Sequence, residues 1–470
     1  MIAAILCVIA LLAVGLLLRA TLHPLKVLFI PASVVAGLIG FGLIQSIGRW
    51  EPSLPASWLG SAPANTRAIA ATLATWPTTL VAVVFAGLLL EGNMQLSFGQ
   101  ALRRGARSGI CAWIIILGQI VIGLVIYMLV VRYQYADVPP TFSQLLEVSW
   151  AGGHGASGAM ASIYTAQGFA PGRDIAFFLA TFGLIYGVVS GLIIVNIAIR
   201  RGWISGGVSR GGLDHINGLE PSLSPTPSTF ARSRSEVIDP LTLQVLIIGL
   251  AFGVGFLLRQ AFVFAVVAFL GPDNPNIHGE PVEVIDDIPL FLFALVGGWL
   301  VKFALSKLGL ARLIDPESIR RIVGVAMEFL IVAAISTMRI ESLTGYLLPI
   351  FAMIVLAAAW SVFTLLWLSR KLLPREYWFE LGLLNFGFST ANTPQGFMLL
   401  RIVDPDLKTR AAEDYAVAAP LSAPFIGGGI ITFVGFPLLL TNVGPVVVTG
   451  LALALMLALY FVGRRLARSG

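Results

Sequence analysis

The apolar residues of this 470-residue chain do not sit on one face of short segments; they come in runs of about 20. A helix of that length crosses a hydrocarbon core roughly 30 Å thick. The composition agrees. The chain is 57% hydrophobic and 11% charged, where soluble domains carry about a quarter charged residues. The runs predict an all-α polytopic membrane protein with spans near 1–19, 25–47, 77–91, 108–131 and 175–199, then 241–270, 288–309, 321–338, 344–369, 412–438 and 443–463. The net charge of +6 does not point to nucleic acid. Lys and Arg fall between the apolar runs and form no basic patch with interleaved aromatics. Cys7 and Cys111 both lie in apolar runs, so no disulfide framework is implied. The first 20 residues lack a basic leading region, and their first charge is Arg19, which reads as a retained span and not a cleaved signal.

Charge sets the expected topology. With the N-terminus outside, the cytoplasmic side collects Arg19 and Lys26, Arg103, Arg104 and Arg107, Arg200 and Arg201, Arg370 and Lys371, and Arg464, Arg465 and Arg468. The loop with Asp273, Glu280, Glu283, Asp286 and Asp287 falls outside. That asymmetry follows the positive-inside rule. Residues 200–240 are rich in Pro, Ser, Gly and Arg and read as a flexible cytoplasmic linker.

A shift of roughly 240 residues repeats the pattern. Residues 1–199 and 241–438 each show two spans, a loop, two spans, a breaker-rich segment and one span, and 439–470 adds an extra C-terminal span. Five spans per copy is an odd number, so the second copy enters from the opposite side. The copies are predicted to be inverted repeats, a pointer to secondary transporters. The breaker-rich segments are "SWAGGHGASGAMASIYTAQ" in the first copy and "LLNFGFSTANTPQGFMLLR" in the second. The charge pattern requires both ends of each on one side, giving re-entrant helix–turn–helix hairpins over 142–168 and 376–401. Irregular backbone at that depth survives only when buried in protein or lining a watery cavity. Gly152, Gly153, Gly155 and Gly158 allow a tight turn and a close approach by a ligand. Pro394 forces a break, and Ser389, Thr390, Asn392, Thr393 and Gln395 supply polar groups. Short-helix N-termini at such tips suit a carboxylate, and free carbonyls suit Na⁺.

"GGHGA" in the first segment and "TANTPQ" in the second resemble the paired hairpin signatures of the bacterial sodium/glutamate symporters, over about residues 1–440. The resemblance implies Na⁺-coupled glutamate uptake by alternating access, in the inner membrane of a bacterium, with no cofactor beyond Na⁺ as the coupling ion. It implies a homodimer in the lipid bilayer. It implies substrate contacts at Gly152, Gly153, His154, Gly155, Ser157, Thr390, Asn392, Thr393 and Gln395. Sodium contacts are expected at Ser389, Ala391 and Glu328, the last because an intramembrane carboxylate is a functional candidate by default. The chain departs from the family in Ala156, where a Thr is usual, and in its long linker and extra span.

Blander readings stand beside these. Glycines in membrane helices often serve only close packing. Asp174 and Asp414 read first as helix N-terminal charges, and Gln119, Asn196 and Asn385 as interhelical glue. The other functions weighed are a carrier for another small carboxylate, proton-coupled or exporting, an intramembrane enzyme and a channel. An enzyme would need an acidic orienter near Ser157 and His154, and none is visible. A channel would more naturally assemble identical loops around one axis. The other histidines, His23, His215 and His278, lie in loops, which argues against a metal site.

Overall fold

The computed structural model describes residues 1–27, 30–50, 62–91, 98–135, 137–205, 239–270, 290–390, 393–404 and 408–469. The acidic loop and most of the linker lie outside them. All regular structure among these residues is helical. The first part of the chain forms α1 (Ile2–Thr21), α2 (Ala32–Trp50), α3 (Ala62–Glu91) and α4 (Phe98–Ile126), which continues through a π-helical turn to Gln134. There follow a 3₁₀ turn at Pro140–Gln144, α5 (Leu145–Trp150), α6 (Gly153–Ala166) and α7 (Pro171–Arg201). The later part forms α8 (Pro240–Leu270), α9 (Leu290–Lys307), α10 (Pro316–Ser336) and α11 (Leu347–Phe363), extended to Leu372. Last come α12 (Trp378–Thr390), α13 (Thr393–Val403), α14 (Ala411–Ala418), α15 (Phe436–Asn442) and α16 (Gly444–Ser469). Among the described residues, eight helices are long and apolar enough to cross a membrane: α1, α3, α4, α7, α8, α9, α11 and α16. This is the architecture of a multi-pass helical membrane protein.

The departures from the expected spans have local causes. The expected 25–47 span divides into a short helix, His23–Val27, and α2, with Pro31 just ahead of the second piece. α3 starts well before residue 77, because Pro77 is carried inside the helix and does not begin it. α10 has the length to span but carries Glu317, Arg320, Arg321 and Glu328, which leaves it outside the eight. Its start is fixed by Asp315, whose carboxylate accepts from Ser318 Oγ at 2.6 Å and from the Glu317 backbone N–H at 3.4 Å.

The expected continuous span at 412–438 does not form. α14 ends, the backbone unwinds through residues 422–430, and helix resumes in a π-helical turn at Ile431–Gly435 that leads into α15. Pro420 and Pro424 remove two helix donors. Gly427 and Gly428 sit at φ +66° and +94°, where a side chain is strained. The broken segment still runs the length of α4. Leu421 lies 3.5 Å from a Cβ placed on Gly109, while Phe436 and Leu440 pack in one buried cluster with Ile120 and Leu124.

The helices pack as two bodies. α1, α2, α3, α8, α9 and α10 pack chiefly on one another, and α4 to α7 with α11 to α16 form the second set. Much of the contact between them is made by α6, which faces α3 and α10. Its contact face is built of small residues. A Cβ on Gly155 would lie 3.0 Å from Met327 Cε, and one on Gly158 would lie 3.6 Å from Leu330 Cδ1 and the Pro77 carbonyl. Close approach of backbones is how apolar helices gain packing energy where no hydrophobic drive separates them from lipid.

Within the second body, two helix pairs fold back on themselves. In the first, Thr141 Oγ1 donates to Gln167 Oε1 and Phe142 packs against Phe169 with ring centroids 5.7 Å apart, so the beginning and end of the pair are adjacent. In the second, α12 and α13 lie side by side, with a Cβ on Gly396 reaching 2.7 Å from the Leu384 carbonyl. Tyr377, just before the pair, donates to Asp414 Oδ2, just after it, at 2.7 Å. The open ends of the pairs lie at opposite ends of α11. Phe142 and Phe169 meet Tyr346 beside its start. At the other end, Arg370 stacks on Trp378 and Trp203 at 4.5 and 4.4 Å. The helix over Leu347–Leu372 is roughly 39 Å long at 1.5 Å per residue.

Candidate functional site

The closed ends of the two pairs meet on α7. A Cβ on Gly183 would lie 2.7 Å from the Thr390 carbonyl, at the end of α12, and 3.2 Å from Trp150 Cδ1, at the end of α5. One turn on, Gly187 faces Thr390 Oγ1 and Gln395 Nε2. Glycine at both positions lets the two breaks come within one turn of each other.

The unwound segment 422–430 fills the remaining side. A Cβ on Gly427 would lie 3.1 Å from Ile116 Cδ1 and Phe388 Cζ and 3.6 Å from Ala151 Cβ. One on Gly428 would lie 3.1 Å from Ala156 Cβ and 3.6 Å from Gly152 Cα. Three interruptions thus converge. The sequence reading found two of them. The third was written in "APLSAPFIGGGI", which has the same proline and glycine vocabulary but lay within an apolar run long enough to read as a span.

Of the expected substrate contacts, His154 is buried, with Nε2 3.0 Å from Thr181 Oγ1. The Thr181 hydroxyl donates to the Phe177 carbonyl at 2.9 Å. With that hydroxyl proton committed, the imidazole is the donor through Nε2–H. Ser157 is engaged with the Gly153 and Ala176 carbonyls at 2.9 and 3.3 Å. Gly153 takes φ +64° at the break, and Gly152 packs under Ala156. Gly155, as noted, lies against Met327. Thr390 donates back to the Phe386 carbonyl at 2.9 Å, as does Ser389 at 3.1 Å. Gln119 Nε2 crosses to the Ser389 carbonyl at 2.7 Å. Ala391 and Asn392 lie outside the described residues. Glu328 is exposed on α10; it follows Met327 on the turn but faces away from the convergence.

Thr393 borders open space. It lines a cavity of about 30 Å³ with Ser108, Asn385, Tyr415 and Ser422, enough for a water or two. Its Oγ1 lies 3.1 Å from Tyr415 OH. Asn385 is buried, donates to the Leu381 carbonyl at 3.3 Å and leaves Oδ1 with no partner among the described residues. A buried orphan acceptor is costly unless something donates to it. Read from sequence as glue, Asn385 instead bonds only within its own helix, as Asn196 does to Leu192.

The post-pair carboxylates are anchors. Asp174 accepts from Arg339 Nε at 3.1 Å and Ser342 Oγ at 2.7 Å. Burial first, and then the bond to Asp414, raises the Tyr377 phenol well above its usual range, so it stays a neutral donor. Lys302 donates to the Leu89 and Leu90 carbonyls at 3.1 and 3.4 Å, capping the end of α3. No group of three or more His, Cys, Asp or Glu side chains among the described residues is placed to hold a metal.

Sequence reasoning also passed over Glu147. It is wholly buried on α5, and Oε1 accepts from the Gly427 N–H at 2.8 Å and Thr432 Oγ1 at 2.7 Å. No family model matches this chain, and no curated protein or solved structure matches it either.

Proposed function

We propose that this protein is a secondary active transporter that takes up a small carboxylate, glutamate first among candidates, coupled to Na⁺. The observation that carries the proposal is the convergence of two broken helix pairs on Gly183 and Gly187, with their open ends at opposite ends of α11. In this reading the pairs are re-entrant hairpins of two inverted repeats, and their tips meet near the bilayer midplane. Interrupted helices at matching places in the two halves are a pointer to such a site.

The substrate sits beside the cavity at the start of α13. The N-terminal N–H groups of that helix and its dipole favour a carboxylate. Asn385 Oδ1, lacking a donor, accepts from the substrate ammonium. The carbonyls exposed by the interrupted helices near Thr390 take the sodium ion. Movement of the body bearing α4 to α7 and α11 to α16 against the other, across the small-residue face of α6, alternates access. A carrier for a carboxylate without an amino group fits the same scaffold, and Asn385 is the residue that separates the two readings.

Uptake of radiolabelled glutamate into proteoliposomes tests this. The expected result is accumulation that collapses without an inward Na⁺ gradient. Asn385→Ala should lower uptake about tenfold, the scale of one lost hydrogen bond to a charged group. His154→Ala should lower it too, with normal insertion. Malate should compete more weakly than aspartate. Uptake indifferent to Na⁺ removes the coupling, and equal competition by malate removes the ammonium contact.

A further inference from the structure

Glu147 is a charge-bearing group with nothing to balance it. One oxygen takes two donors, the Gly427 N–H and the Thr432 hydroxyl. The other, Oε2, is buried with no hydrogen-bond partner among the described residues. Among the described residues Glu147 has no salt-bridge partner. The elements packed around it supply none. Residues 422–442 contain no titratable side chain. α6 brings His154 and Tyr164, and α7 brings Arg173, which donates to Thr337, and Asp174, which is paired with Arg339. α4 has Arg107 and Arg132 towards its ends, with Cys111 and Tyr127 between.

Gln144, one turn earlier, donates through Nε2 to the Thr432 carbonyl at 2.7 Å and leaves its own Oε1 orphaned. Gln144 and Glu147 thus grip the same residue of the broken segment, and each holds a buried oxygen that lacks a donor. A bare carboxylate in a dry interior is expensive unless paired. One proton on Oε2 removes the charge.

We propose that Glu147 binds and releases one proton in each transport cycle and that this proton latches the unwound segment 422–430 to the first helix pair. With the proton bound, the neutral carboxyl stays buried against Gly427 and Thr432. When the proton leaves to water, the carboxylate must be hydrated, and the segment parts from α5 to admit that water. The inference rests on the transporter reading for its place in a cycle, but the latch itself needs no substrate.

The test therefore reads the latch directly. In a Cys7→Ala, Cys111→Ala background, Ser422→Cys reports opening of the segment by its rate of reaction with a thiol reagent, corrected for the reagent's own pH dependence. The corrected rate should rise with pH by about tenfold per unit on the limb below saturation, the one-proton slope. Glu147→Gln should hold it low and flat. Glu147→Asp, which keeps a carboxyl but shortens its reach, should titrate with a displaced midpoint. A wild-type titration in Glu147→Gln overturns the proposal. So does an unchanged midpoint in Glu147→Asp, should the Gln variant not fold. A rate set by Na⁺ at constant pH assigns the site to sodium and also overturns it. Failure of glutamate uptake with an intact titration would sink the substrate assignment and leave the latch standing.

Discussion

His154 and Gly183 show how single positions divide between chemistry and packing. His154 is expected from sequence to touch substrate, yet its imidazole is hydrogen-bonded to Thr181 and ties α6 to α7. Gly183 carries no chemistry, yet it lets Trp150 and the Thr390 carbonyl approach one backbone. Gly183→Ala should therefore cost about 1–3 kcal/mol of overpacking. Gly249→Ala, where nothing lies within 4 Å, should be neutral or slightly stabilising, since alanine is the better helix former. Thermal denaturation in detergent compares the two. Equal melting temperatures would show that the closed ends do not depend on this contact.

Elements are held by a few ties at their ends. The second pair is closed by Tyr377 on Asp414, whose carboxylate is nearly buried. Tyr377→Phe should cost about 1–3 kcal/mol, because it strips a buried carboxylate of a donor. The phenol is raised above its usual value of 10.0 in the folded protein. Its contribution is thus fully present below that value and is lost only as pH rises through the elevated folded one. The difference between wild type and Tyr377→Phe should be constant from pH 6 to pH 8, and a difference that fades across that range would contradict the assignment. The unwound segment depends on Gly428 at φ +94°. Gly428→Ala adds backbone strain of about 1–3 kcal/mol and a methyl against Ala156. It should be more destabilising than Gly444→Ala, where φ is also positive but the space is open.

Across the molecule, the two bodies meet partly through small residues on α6 that oppose Met327, Leu330 and Pro77, and partly through Phe433, which packs edge-on against Phe85 and Phe291. If movement across this face alternates access, fixing it stops transport without unfolding either body. Gly158→Cys with Leu330→Cys, bridged by a short thiol-reactive cross-linker, should abolish uptake while each single variant remains cross-linker-insensitive. Full uptake in the bridged protein would rule out relative motion at this contact. The Arg339–Asp174 bond ties the segment between α10 and α11 to the start of α7. Arg339 is largely exposed but Asp174 is buried, so loss of the arginine strips a buried carboxylate of one of its two donors and should weaken stability by about 1–3 kcal/mol.

The amino-acid order alone settled the class of molecule, since runs of about 20 apolar residues leave few alternatives to spanning helices. It also located the two folded-back pairs to within a few residues, because glycine and proline act on the backbone locally, wherever the chain goes. It misjudged the segment at 412–438, where the same breakers sat within enough apolar length to pass for a helix. It misplaced Glu328, because helical rotation decides which way a side chain faces and one residue separates the contact of Met327 from the exposure of Glu328. It did not find Glu147, Gln144 or Asn385 as a set of orphaned polar groups. Whether a buried oxygen has a donor depends on residues such as Gly427 and Thr432, some 280 positions away. Periodicity and breakers are properties of neighbours along the chain, whereas hydrogen-bond satisfaction is a property of neighbours in space, and only the packed helices could decide it.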